Sequence, residues 1–249
     1  MVIDIEGAAI HFERHGAGEP LLFLHGFTGA GSDWRYLFTE VPAGYELIAP
    51  DLRGHGRSAN PDGRFTFRQS ARDVIRILDH LGVDRIKAIG ISGGGITLLH
   101  LATMAPTRIK AMVIVSAPPY FPEPARAVQR HFAESMLSDE ERARMRQRHA
   151  HGEKQIDALF AQARAFADSY EDVNFTPPLL STITADTLVV FGDRDPLYPV
   201  ALALELRAAI PQSYLWVIPN GGHAPVFGAG APAFVATTQA FLSGHWKPQ

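Results

Sequence analysis

Two periodicities alternate along this chain and divide it into strands and helices. Residues 2–6 and 9–13 are short alternating segments separated by Gly7, which predicts an antiparallel hairpin at one sheet edge. Residues 20–25 and 45–50 are continuous apolar runs instead, as expected of strands covered on both faces in a parallel sheet. A helix is predicted between them, around residues 34–40. In residues 67–81 the apolar side chains Val74, Ile75, Leu78 and Leu81 recur at three- and four-residue spacing, the mark of an amphipathic helix, and Gly82 stops it. A strand at 85–91, a helix at 93–104 and a strand at 110–115 follow.

The pattern then changes. Prolines 118, 119, 122 and 124 open a stretch with no strand-like run until Thr187, which reads as an inserted segment. Within it Ser138 and Glu141 form a capping box, Asp139 and Glu140 lie in the same first turn, and Arg142, Arg144, Arg146 and Arg148 load the later part of the helix, in accord with its dipole. That arginine series reads as a solvated face, with an anion site as the alternative. Ile156, Leu159, Phe160, Ala163, Phe166, Ala167 and Tyr170 mark a second amphipathic helix, and Thr176-Pro177-Pro178 closes the insert. Alternation resumes with a strand at 187–191, a helix at 199–210, a strand at 214–218 and a helix at 231–242. Strands alternating with helices predict an α/β protein with a largely parallel sheet, whose sites lie at the carboxyl ends of its strands.

Composition narrows the function classes. The chain has 249 residues, 46% hydrophobic and 20% charged, enough for one large α/β domain or two small ones. A net charge of −3 without any long basic run leaves no electrostatic footprint for nucleic acid. The absence of cysteine excludes disulfides, a cysteine nucleophile and thiolate metal sites. An acidic N-terminal stretch and the lack of any apolar run approaching 18 residues predict neither signal peptide nor membrane span, and a cytoplasmic location is expected. His149 and His151 form a two-residue pair on an apparently exposed helix without further ligands, so neither metal nor cofactor is expected.

Chemistry concentrates where the strand at 85–91 breaks on Gly90-Ile91-Ser92-Gly93-Gly94 and re-emerges as a helix. In the pattern Gly-x-Ser-x-Gly a serine occupies a sharp, strained strand-to-helix turn, and only glycine at the flanking positions lets the two arms pass. The turn lifts the hydroxyl above the sheet edge beside the unpaired amides of the helix N-terminus. The plainer alternative is a glycine-rich connection whose serine caps a helix. A nucleophilic Ser92 needs a base and an orienting acid from neighbouring strand ends. His223, in Pro219-Asn220-Gly221-Gly222-His223, supplies the candidate base; Gly192-Asp193-Arg194-Asp195-Pro196 offers two candidate acids.

The chain order Ser92, Asp195, His223 is that of the α/β-hydrolase family, which the sequence resembles over nearly its whole length. His25-Gly26-Phe27, Asp51-Leu52-Arg53-Gly54-His55-Gly56-Arg57-Ser58, the serine turn, the Gly-x-x-Asp-Pro loop and the Gly-Gly-His loop match in order. The resemblance implies an α/β-hydrolase fold: a mostly parallel eight-stranded sheet flanked by helices, with a core of 1–117 and 179–249 and a helical cap at 118–178. It favours Asp195 over Asp193 as the acid, and it implies an oxyanion hole made by the backbone amides of Phe27 and Gly93. The cap would roof the pocket, with Tyr120, Phe121, Met136, Phe160 and Phe166 as an apolar wall and Trp34, Tyr198 and Val226 from the core side; simple packing is the alternative for each.

Residues 174–184 and 214–223 are similar to the valacyclovir hydrolase, or biphenyl hydrolase-like, branch of carboxylesterases. Gly93 stands where that branch carries an acid for a substrate amine, which speaks against amino-acyl esters. The resemblance implies a serine hydrolase acting on small, uncharged, partly apolar carboxylic esters or lactones through an acyl-enzyme. The only partner implied is that small molecule, with the chain a monomer or homodimer. Alternatives on the same residues are hydrolysis or elimination at a carbon–carbon bond, cofactor-free perhydrolysis, and a ligand receptor with negligible turnover. For the second chemistry, His25-Gly26-Phe27-Thr28-Gly29 and Trp34 are similar to the menaquinone-pathway synthase, whose arginine four residues after the serine is Ile96 here.

Overall fold

The computed structural model describes residues 1–244 and 246. Eight strands form one sheet: β1 (Val2–Ile5), β2 (Ala8–Gly16), β3 (Glu19–Leu24), β4 (Tyr45–Pro50), β5 (Ile86–Ile91), β6 (Ile109–Val115), β7 (Asp186–Gly192) and β8 (Ser213–Ile218), in the order β1-β2-β4-β3-β5-β6-β7-β8. β2 pairs antiparallel with β1 and β4, and every other pairing is parallel. The hairpin expected at the N-terminus is therefore the sheet edge. From β3 the chain steps outward to β4 and then returns to place β5 on the other side of β3, so the loops after β3 and β5 flank a topological switch point, where α/β sheets open a crevice.

The apolar runs of the central strands serve both faces. In β3, Leu22 and Leu24 pack on one side and Leu21 and Phe23 on the other; β6 repeats this with Met112 and Ile114 against Val113 and Val115. On the first face lie α1 (Phe67–His80), α2 (Gly93–Met104) and, later in the chain, a helix at Val200–Ala209. The amphipathic stripe of α1 buries Ala71, Val74, Ile77 and Leu78 there, each large side chain contributing about 1.5–3 kcal/mol. The second face is covered by the C-terminal helix at Ala231–Leu242 and by the segment expected to be a helix at 34–40. That expectation is corrected: the segment is a short 3₁₀ turn, Gly31–Tyr36. The Gly31 amide donates to Asp51 Oδ1 at 2.7 Å, and Asp33 Oδ2 accepts from the Ala30 amide at 3.1 Å, so carboxylates fix the start of a tight turn.

Between β6 and β7 the chain forms α3 (Glu123–Arg130), α4 (Asp139–Arg148), α5 (Glu153–Ala165) and the single turn α6 (Pro177–Leu180), followed after β7 by α7 (Val200–Ala209) and after β8 by α8 (Ala231–Leu242). The capping box of α4 is present, with Ser138 Oγ accepting from the Glu141 amide at 3.2 Å and the Glu141 carboxylate accepting from the Ser138 amide at 2.7 Å. α5 is shorter than expected; the chain tightens into a 3₁₀ turn at Phe166–Asp168. Buried Arg126 on α3 explains the stop. Its guanidinium donates to the carbonyls of Ala167 at 2.6 Å and Ser169 at 3.1 Å and lies 3.8 Å over the Tyr170 ring. Among the described residues, no helix is long and apolar enough to cross a membrane.

Candidate active site

β5 ends at Ile91, and Ser92 turns the chain into α2 with φ 51° and ψ −115°, a region a side-chain-bearing residue occupies only under constraint. The constraint is visible in the backbone. Ser92 donates its amide to the Val115 carbonyl at 2.7 Å, and its own carbonyl accepts from Ile96 at 3.0 Å. A Cβ at Gly90 would sit 2.6 Å from the Gly94 carbonyl oxygen, and one at Gly94 would sit 2.2 Å from that of Leu24. Both positions demand glycine because the helix starts against the neighbouring strand.

The loops after β7 and β8 reach the same place. His223 Nε2 lies 2.9 Å from Ser92 Oγ, and His223 Nδ1 lies 2.8 Å from Asp195 Oδ2. An ionised carboxylate only accepts, so Nδ1 carries the proton and Nε2 presents its lone pair to the serine. The other Asp195 oxygen accepts from the amides of Leu197 at 2.8 Å and Tyr198 at 3.1 Å. Burial works to raise the Asp195 carboxyl, but the bond and charge of His223 and these two amides hold it below the usual range. Asp193 is exposed and makes no bond to the imidazole. Ser116, also at positive φ and fully buried, holds the histidine loop from beneath, its Oγ accepting from the Ala224 amide at 3.1 Å. Such an arrangement can take a proton from Ser92 as its oxygen attacks an electrophile.

Opposite the serine lies the loop after β3. A Cβ at Gly93 would stand 3.1 Å from the Phe27 nitrogen, so the two backbones are in near contact, and neither amide donates to a protein acceptor among the described residues. His25 braces this loop with a fully buried ring: Nδ1 donates to the Gly26 carbonyl at 2.7 Å and Nε2 accepts from the Leu52 amide at 3.0 Å. Burial lowers its basicity and keeps it neutral.

Here the expectation of an exposed His149–His151 pair is corrected. His149 is 1% exposed, at the end of α4; Nδ1 accepts from the Gly56 amide at 3.0 Å and Nε2 donates to the Thr28 carbonyl at 3.1 Å. Burial pushes it down to about 4. Arg148 also leaves the arginine face, donating to the Thr28 carbonyl at 3.2 Å and pairing with Asp33 at 3.1 Å, whereas Arg142, Arg144 and Arg146 pair with carboxylates at the surface. Among the described residues no three His, Asp or Glu side chains come together as a metal site.

Two cavities meet at Ser92 and His223. One, of about 270 Å³, runs under the insert and is walled by Phe67, Ile96, Phe121, Phe132, Phe166 and Tyr198. The other, of about 230 Å³, is lined by Gly26, Thr28, Asp33, Arg148, Ala224 and Phe227. Of the pocket residues expected from the sequence, Phe121, Phe166 and Tyr198 line the first cavity. The others do not line either, and this is a correction. Trp34 and Val226 pack in the core on the second face of the sheet, Phe160 packs with Met145 and Ile156 inside the insert, and Tyr120 and Met136 are exposed. Phe67, Val128, Gln129, Phe132 and Leu197 line the cavity without having been expected; Val128 and Gln129 lie on α3 and Phe132 just past its end. A larger cavity of about 470 Å³, lined by Asn60, His151 and Lys154 among others, is separate and contains neither Ser92 nor His223.

Comparison with known proteins agrees with this architecture. The chain is 30% identical to RutD of Variovorax paradoxus, a candidate carbamate hydrolase, over 86% of this chain and 89% of that one. It is 28% identical to the serine hydrolase BPHL of Mus musculus over 89% and 79% of the respective lengths. It is 27% identical to the dihydrolipoyllysine-residue acetyltransferase component of the acetoin cleaving system of Cupriavidus necator over 88% of this chain, spanning 63% of that protein. Among solved structures, an N-acyl homoserine lactone degrading enzyme superposes with a TM-score of 0.72 at 25% identity, covering 98% of this chain and 99% of the other. The meta-cleavage product hydrolase CumD of Pseudomonas fluorescens superposes at 0.81 with 20% identity, covering 98% of each, a likeness of fold alone. The chain belongs to the alpha/beta hydrolase fold family, whose sequence pattern it matches over residues 19–148.

Proposed function

We propose that this hydrolase cleaves small carboxylic esters or lactones through an acyl-enzyme on Ser92. The observation that carries the reading is the unbroken chain of hydrogen bonds from Asp195 through His223 to Ser92, 2.8 Å and 2.9 Å long, at the mouth of an apolar cavity. In this mechanism His223 Nε2 takes the hydroxyl proton while Ser92 Oγ bonds to the acyl carbon. Asp195 holds the ring in the required tautomer and stabilises the imidazolium. The negative charge on the former carbonyl oxygen falls between the free amides of Phe27 and Gly93, each donor of this kind contributing about 3 kcal/mol to the transition state. His223 then gives its proton to the departing alcohol oxygen as the C–O bond breaks, and in a second round activates water to release the acid.

The two cavities suit the two halves of an ester. An acyl chain must stay bound through both steps, and the phenylalanine-walled cavity under the insert gives it an apolar surface to rest on. At about 270 Å³ it is below the ~300–1,000 Å³ of typical drug-sized sites, so short chains fit best. The insert carrying Phe121 and Phe166 acts as the cap that roofs it. The test is hydrolysis of nitrophenyl acetate and butyrate: turnover is expected, reduced roughly 10⁶-fold in Ser92→Ala with an unchanged fold. No turnover on any short acyl chain, or undiminished turnover in the alanine variant, would end the proposal.

A further inference from the structure

The arginine series of α4 divides by face. Side chains four apart share one side of a helix, so Arg142 and Arg146 form one pair and Arg144 and Arg148 another. The first pair serves the insert itself: Arg142 bonds Asp139 and the Glu134 carbonyl, and Arg146 bonds Glu134 and Glu153. The second faces the 3₁₀ turn of the core and, with Arg35 and Tyr36 from that turn, lines a groove of about 390 Å³. Asp33 and Arg148 line this groove and also the 230 Å³ cavity that contains Ser92 and His223, so the two spaces meet at the pair they form at 3.1 Å.

Charge is unbalanced in the groove. Three guanidinium groups, those of Arg35, Arg144 and Arg148, border it against one carboxylate, Asp33; Glu13 and Glu140, which pair with Arg35 and Arg144, do not line it. All three arginines are partly exposed, and exposed ion pairs are weak, so an incoming anion can bond the N–H groups they leave free. The cap-side cavity, in contrast, has no Asp, Glu, Lys or Arg in its wall among the described residues.

We propose that the groove is a subsite for an anion carried on the leaving group, so that the substrate joins a short apolar acyl group to an alcohol bearing a carboxylate or a phosphate. This deepens the ester-hydrolase reading and rests on it, with the acyl chain in the cap-side cavity and the alcohol left to the cavity that Arg148 borders. A planar guanidinium fork matches two oxygens of either anion.

Butyrate esters of 4-hydroxybutanoate, 6-hydroxyhexanoate and 8-hydroxyoctanoate, each against its uncharged primary amide, test the proposal, and the butyrate ester of 6-hydroxyhexyl phosphate supplies the second anion. Each kcat/KM is divided by the ester's hydroxide-catalysed rate to remove intrinsic reactivity. At low ionic strength the better anion should exceed the amide of like length about 5- to 50-fold at its best length, and the ratio should fall severalfold in about 0.5 M NaCl. The double variant Arg35→Gln/Arg144→Gln should cut the ratio about three- to tenfold. A ratio at or below one for both anions at every length, which needs no variant to observe, overturns the proposal while the ester-hydrolase reading stands, as does a preference that the double variant leaves unchanged. No hydrolysis of any ester, charged or neutral, with Ser92 unlabelled by a fluorophosphonate, overturns both.

Discussion

Asp193 and Asp195 share one loop, and an imidazole distinguishes them completely. Asp195 has a side chain with 0% exposure, bonded on one oxygen to His223 Nδ1 and on the other to two backbone amides; Asp193 is exposed and leaves the ring untouched. If Asp195 is the orienting acid, Asp195→Asn keeps the shape but offers His223 a group that can donate, which favours the tautomer with its proton on Nε2 and denies Ser92 its base. Ester turnover should fall on the order of 10⁴-fold. Asp193→Asn should stay within about twofold, as surface changes usually do. Initial rates on a butyrate ester measure both, and the opposite ranking would transfer the role to Asp193. The residues alone offered two carboxylates in one loop, and only the family resemblance favoured Asp195; burial, which separates them, is set by how the loop folds back onto Leu197 and Tyr198.

The turn from β5 through Ser92 into α2 was legible because its requirement is written in residue identity: where backbone touches backbone, only glycine fits. Gly94→Ala should therefore be expensive for stability, since its Cβ would lie 2.2 Å from the Leu24 oxygen, a strand atom with no freedom to yield. A loss of at least about 1–3 kcal/mol is expected, seen as a fall in Tm of ~2–4 °C per kcal/mol. Gly222→Ala, whose added Cβ meets nothing within 4 Å, serves as the control, and equal melting of the two variants would refute the steric account. Helix α3 was less legible. Prolines 122 and 124 suggest a broken chain, but they occupy the N-cap and the first turn of α3, where the missing N–H has no helical partner to lose. The pocket wall was harder still. Trp34, Phe160 and Val226 are apolar, as expected, yet an apolar letter does not say which of two sheet faces or which side of a helix it covers, and that choice comes from the three-dimensional packing.

At the scale of the molecule, a group of polar contacts from Arg148, His149, Ala150, His151 and Gln155 joins the insert to the loops around the site, and His149 is central among them. It ties the end of α4 to Gly56, after β4, and to Thr28, next to the candidate oxyanion residue Phe27. Arg148, His25, Asp51 and His55 surround it, and burial, the dominant influence, holds it neutral, with proton affinity pushed down to about 4 from 6.5. A histidine depressed in the fold binds its proton more readily when unfolded, so its contribution is complete above about pH 6.5 and is lost as pH falls toward 4. At ~1.4 kcal/mol per pH unit the loss amounts to about 3 kcal/mol. Burial depresses His11, His25, His55 and His100 in the same direction, so the absolute slope belongs to all five rings, and only a difference isolates His149. His149→Gln can still accept from Gly56 and donate to Thr28 but cannot titrate. Urea unfolding at pH 7 and pH 4.5 should show the wild type losing about 2–3 kcal/mol more than the variant across that interval. Parallel losses in the two proteins would mean that protonation of this ring does not unfasten the insert from the loops that carry the site.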